Sequence, residues 1–348
     1  MKGSAWLLRA RSVRACLLLW GAALVVLLAE SAQAHEKWFT EPSMHPLREV
    51  DGTRALIAAL VAGITVGVAW LGERSWRAFQ PKVPVDLQLS AARLERLFAL
   101  MPVIVGTHAA ATLLGSGIQM QLFAPNLSLP RNFWGGLVAL AEIVVALSFL
   151  YGALTRVFAW LLAALFPIGL MFFPPLAIAE QLHFLGIALF LAILGRGPYS
   201  LDGVLGRPVR PLVGWVPYAV PLLRWCTGLG IIALAFGEKL WNPELGVAFL
   251  RHYDFNFLRG WGVSDRAFVL LAGYVEATVG VLIASGVLAR LVIALAWFPF
   301  NLTLPFMGAE ELLGHLPVYG VMVVLLVWGR GEDLGPYLAS VRRAEQAG

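Results

Sequence analysis

Nine stretches of this 348-residue chain are apolar enough to cross a bilayer, and the loops between them are mostly short and basic. A crossing helix needs about 20 such residues. The stretches lie near 55–72, 95–115, 134–152, 157–173, 180–195, 219–237, 267–285, 290–306 and 314–328. The shortest, 180–195 and 314–328, are expected to be tilted or shielded by neighbouring helices. With 59% hydrophobic and 14% charged residues and a mean hydropathy of +0.77, the chain is too apolar for a soluble domain of its size. Its pI of about 9.5 could suggest nucleic acid, but the bases sit in loops between apolar spans. That placement marks topology and excludes nucleic acid as the partner. The expected fold is an all-α polytopic membrane protein in contact with the lipid bilayer.

The N-terminus has the three parts of a secretory signal. Lys2, Arg9, Arg11 and Arg14 form a basic start, "ACLLLWGAALVVLLA" is the apolar core, and Ala32-Gln33-Ala34 is a small-residue cleavage site. Residues 1–34 read as a signal peptide, which would leave His35 at the mature N-terminus. Cys16 would leave with it, and Cys226 remains alone in an apolar run, so no disulfide framework is expected. In a bacterial inner membrane, nine crossings from a periplasmic N-terminus end in a cytoplasmic C-terminus. On that topology fourteen Lys and Arg side chains lie on the cytoplasmic side and eight outside, the expected direction of bias.

The chain also repeats itself. "LVALAEIVVALSFLYGALTRV" (137–157) aligns with "LLAGYVEATVGVLIASGVLARL" (270–291) at an offset of 134 residues. Glu142 meets Glu276, Gly152 meets Gly286, Arg156 meets Arg290, and "GRG" at 195–197 meets "GRG" at 329–331. "EQLH" (180–183) corresponds to "ELLGH" (311–315) with a small indel. Each unit holds four spans, an even number, so both enter the membrane in the same sense, as parallel repeats. The expected organisation is a periplasmic segment and extra first helix (35–93), one four-helix repeat (94–210), a second (211–335), and a cytoplasmic tail (336–348).

Each half resembles the DoxX/DoxD-like membrane proteins, four-helix modules associated with redox chemistry. "FGEKLWNPELGVAFL" (236–250) resembles that family's Gly-x-Lys-Leu helix ending, and "VEATVGVLIASGVLARL" its Glu–Gly-rich–Arg helix. His315 sits where a fourth-helix histidine is usual. The first half departs from the pattern, with "THAAATLLG" (107–115) in place of the Gly-Lys-Leu element. The resemblance implies a redox-associated protein, with a quinone or a periplasmic redox protein as partner. It does not fix a reaction.

Acids inside spans are costly and call for a reason, at about 2.5–3.5 kcal/mol each on insertion scales. Glu142 and Glu276, roughly 12 to 14 Å into their spans at 1.5 Å per residue, are the candidates for catalytic proton transfer. Glu180 and His183 at i, i+3, and Glu311 and His315 at i, i+4, each share a helix face. A Glu from each repeat and a Glu/His pair from each last helix also match the inventory of di-iron carboxylate bundles. On that reading Glu180, His183, Glu311 and His315 would bind iron, copper, manganese or zinc, and His35 would cap the site from the periplasm. Equally, the acids could be structural hydrogen bonds between helices of a non-catalytic scaffold, or the histidines part of a metal-transport path. His108 reads as a packing residue, and His252 and Asp254 as part of an interfacial loop.

Overall fold

The computed structural model describes residues 36–47, 50–79, 91–197, 199–207 and 209–331. The expected signal peptide, His35 and the tail 336–348 lie outside the described residues.

All nine expected spans appear as helices. Helix α1 is Gly52–Phe79, α2 Ala91–Ile118, α3 Phe133–Tyr151, α4 Thr155–Gly169 and α6 Leu182–Leu194, with the short α5 (Pro175–Ala179) between the last two. After α7 (Leu201–Val204) come α8 (Val216–Leu234), α9 (Pro243–Tyr253), α10 (Asp265–Ser285), α11 (Ala289–Leu302) and α12 (Leu304–Trp328). Among the described residues, six segments are long and apolar enough to cross a membrane: Gly52–Ser75, Ala99–Ile118, Phe133–Tyr151, Val213–Leu240, Asp265–Ser285 and Met307–Trp328. The other three, Thr155–Gly169, Leu182–Leu194 and Ala289–Phe298, are apolar but shorter than a full crossing. Prolines set one of these limits, since α4 stops before Pro174 and Pro175 starts α5 as its first residue. Helix α6 is shielded: ten of its thirteen residues are buried, from His183 to Leu194.

Eight helices close into a ring. Helix α2 packs on α3, α3 on α4 and α4 on α6; α8 packs on α10, α10 on α11 and α11 on α12. The halves then meet reciprocally, α6 against α8 and α12 against α2. Helix α1 lies outside the ring against α10, with most of its large apolar side chains exposed, as on a lipid-facing helix.

Local geometry recurs at the 134-residue offset. Gly152 and Gly286 end α3 and α10 in the left-handed region, at φ 71° and 74°. Two residues later Leu154 and Leu288 are also left-handed, at φ 52° and 49°. Arg156 Nε donates to the carbonyl of Ala192 (2.8 Å), and Arg290 Nε to that of Leu326 (3.1 Å). Helix C-termini leave carbonyls unsatisfied within the helix, and guanidinium groups at this end of the ring take them up.

At the opposite end the pattern breaks in two places. The first is a π-helical turn, Ala235–Leu240, which carries the "FGEKL" residues directly on from α8. The second is a kink in α12 at Gly308, whose φ of 71° and ψ of −146° are open to glycine. Glu311 and His315 therefore lie inside a long kinked helix rather than at the outer end of a short one.

Candidate functional site

The residues 36–39, "EKWF", fold back into the end of the ring that carries the π-turn. Glu36 and Lys37 are both buried. The Trp38 ring lies against Gly314 of α12, where any side chain would clash with it, and Trp38 Nε1 donates to Asn126 Oδ1 at 3.0 Å. Phe39 packs against Phe249 and Tyr253 of α9, with ring centroids 6.4 and 6.1 Å away. The stretch that follows is stitched to the π-turn as well. Arg54 Nη1 donates to the Leu240 carbonyl (2.8 Å), and Asn242 Nδ2 to that of Met44 (2.7 Å).

This return builds a charged cluster. Lys239 Nζ lies 3.0 Å from Glu36 Oε2 and 3.0 Å from Glu276 Oε2. Lys37 pairs with Glu180 Oε1. The backbone N–H of Glu36 donates to Glu238 Oε2 at 3.1 Å, which sets the two acids side by side. All six side chains are buried. Burial pushes the Glu36 carboxyl well above the ordinary value of 4.5, against the pull of Lys239 and with the push of Glu238.

Why these residues face inward is a matter of helix register. A π-turn fits an extra residue into one turn, and such turns recur at functional sites. Here it buries Gly237, Glu238, Lys239 and Leu240 in succession, more than one face of a regular α-helix would offer a single neighbour. Gly237 is required: a Cβ there would collide with Glu180 Oε1 and come within 3.3 Å of Lys37 Nζ.

Beside the cluster is a cavity of about 20 Å3, large enough for one water molecule. Glu180, His183, Glu276 and His315 line it, with Thr227, Phe300 and several apolar side chains. The histidines of the two halves therefore share one space. His183 is 9% exposed, and its Nε2 has no hydrogen-bond partner among the described residues. On the far side of His315, Glu311 Oε1 lies 3.5 Å from His315 Nε2 and accepts a hydrogen bond from Thr303 (3.0 Å).

The sequence-expected residues thus separate. Glu276, Glu180, His183 and His315 come together, with Glu311 next to them. Glu142 stands apart: its Oε1 accepts the backbone N–H of Phe123 at 2.8 Å, in the loop after α2. His35 lies outside the described residues. Among the described residues no three His, Cys, Asp or Glu side chains are placed to hold a metal ion, and Glu180 is held by Lys37. His108 is a packing residue, its ring against Gly320 of α12 and its Nδ1 bonded to the Ile104 carbonyl at 2.8 Å.

Four members of the cluster were not among the site residues expected from sequence: Glu36, Lys37, Glu238 and Lys239. Lys37 and Lys239 count among the eight outer-side basic residues, and Lys239, just past the expected span 219–237, lies in the π-turn. A signal was present in the two Glu-Lys doublets, 36–37 and 238–239, which contain two of the chain's four lysines.

Fold and site together define a multi-pass, all-helical membrane protein with a buried cluster of acids, lysines and histidines. The chain matches no protein-family model, no curated protein and no solved structure.

Proposed function

We propose that this chain is a subunit of a quinone-linked redox system in the bacterial inner membrane, and that its central cluster takes up and releases protons as electrons move. One observation carries the reading. Glu180, His183, Glu276 and His315 line a single cavity inside the ring, and ion pairs of Glu180 with Lys37 and of Glu276 with Lys239 join it to the segment 36–39 and the π-turn. Ionisable groups inside a membrane are rare, and where they occur they mark proton relays and ion paths. Quinone reduction needs protons as well as electrons, so a buried store of acids suits it. The cavity admits water and not a quinone ring, so the quinone would meet the protein elsewhere.

The redox assignment rests on the DoxX/DoxD resemblance of both halves. Reading those halves as parallel repeats is supported by the recurrence of Gly152, Leu154 and Arg156 as Gly286, Leu288 and Arg290. The reciprocal packing of α6 on α8 and α12 on α2 supports it too, as expected of two units about an axis along the membrane normal. The excess of basic residues on one side supports a periplasmic position for 36–39.

The test is quinol formation in vesicles holding the protein and the redox partners made with it, supplied with thiosulfate or another periplasmic donor. Quinol should accumulate with wild-type protein and slow with Glu276→Gln. Quinol levels indifferent to the protein would end the redox reading.

A further inference from the structure

The six buried charges do not balance. Lys239 serves Glu276 and Glu36, and Lys37 serves Glu180, which leaves four carboxyl groups against two ammonium groups. Glu238 Oε2 accepts the backbone N–H of Glu36, and among the described residues neither lysine forms an ion pair with it. Two carboxylates set side by side repel, and a proton on one of them relieves the repulsion and lets it donate to the other. One proton on the pair reduces the excess from two negative charges to one, which lowers the cost of enclosing the cluster among apolar helices. A second observation points the same way. The cavity bordering Glu180 and Glu276 has room for one water, and His183 brings to it a buried ring nitrogen with no protein partner.

We propose that Glu36 and Glu238 form a proton-binding site, holding one shared proton at neutral pH, and that a water in the adjacent cavity connects the cluster to His183. The proton comes from solvent at the end of the ring closed by residues 36–39, and binds as one carboxylate of the pair becomes a carboxylic acid. Lys37, Lys239, Glu180 and Glu276 are the charged groups around the pair, contributed by the N-terminal segment, the π-turn, the end of α5 and α10. Burial favours the neutral form of Glu36, in keeping with this assignment.

The proposal deepens the proton-carrying reading of the site, but its test needs neither donor nor quinone and can fail separately. Infrared spectra would be taken of the purified protein in lipid nanodiscs, in a Glu142→Gln background so that the isolated carboxyl near Phe123 does not contribute. At neutral pH the carbonyl stretch of a protonated carboxylic acid should be present, and it should vanish at alkaline pH. Glu36→Gln and Glu238→Gln should each abolish it. Glu36→Asp and Glu238→Asp, which keep an acid, should shift it. An oxygen-18-sensitive stretch of an internal water should be seen in the same protein and lost in His183→Phe, which fills the cavity. The proposal is overturned by a neutral-pH spectrum without the acid band, by a band that survives either Gln substitution, or by a water stretch indifferent to His183.

Discussion

Glu142 and Glu276 occupy equivalent places in the two halves, one offset of 134 residues apart, in helices that end in the same glycine turn. Their surroundings differ completely. Glu276 faces a lysine from the π-turn, and through it reaches Glu36 at the other end of the sequence. Glu142 faces a loop in which Met120 and Phe123 take left-handed backbone angles, and it satisfies one backbone N–H. Residues 94–210 contain no lysine at all. Without a cation a carboxyl in this position can only fasten a loop, whereas with one it joins a network open to exchange. Helices α3 and α10 each supply an acid, and what the preceding helix ends in decides its use.

The largest effect that would sharpen this contrast is Lys239→Met. Removing the ammonium leaves Glu276 and Glu36 facing each other across a buried gap, at a cost of about 3–5 kcal/mol. Thermal unfolding in detergent should show it, and adding Glu276→Gln to the same protein should restore part of the loss. A Lys239→Met protein as stable as Glu142→Gln would erase the distinction between the halves. Next is Gly237→Ala, whose methyl group must displace the Glu180–Lys37 pair; about 1–3 kcal/mol is expected from such overpacking. On the other side, Glu142→Leu should cost about 1–3 kcal/mol by leaving the Phe123 N–H unsatisfied. Glu142→Gln, which keeps an acceptor oxygen, should cost less than about 1 kcal/mol.

The smallest expected effect is a pH slope. Glu36 has its folded value raised above 4.5, so its stabilisation is complete below that ordinary value and is lost as pH rises through the folded one. Wild-type stability relative to Glu36→Gln should fall over that window, as chemical denaturation at a series of pH values would show. Glu142→Gln, remote from Glu36, should leave the slope unchanged.

The helices were legible because membrane-length apolar runs announce themselves, and the residues whose local geometry recurs at the 134-residue offset because charged residues inside spans make a sparse register. The site was only half legible. Glu180 with His183, and Glu311 with His315, could be read as pairs from helical spacing alone. Spacing could not show that the two histidines meet, which depends on how α6 and α12 close the ring. The π-turn shifts the register by a residue that no periodicity predicts, and so Lys239 looked like a loop charge. The burial of Lys37 depends on contacts with partners 143 residues away and is written in no local pattern.

That last contact bears on how the protein is made. The groups that neutralise Lys239 include Glu36, more than 200 residues earlier in the chain. During synthesis Glu36 and Lys37 are made long before the π-turn exists, and they must wait while helices α1 to α8 are made. Only then can they settle into the ring and take their opposite charges with them. Assembly therefore ends with residues 36–39, whose burial acts as a check that the helices they pack against have arrived.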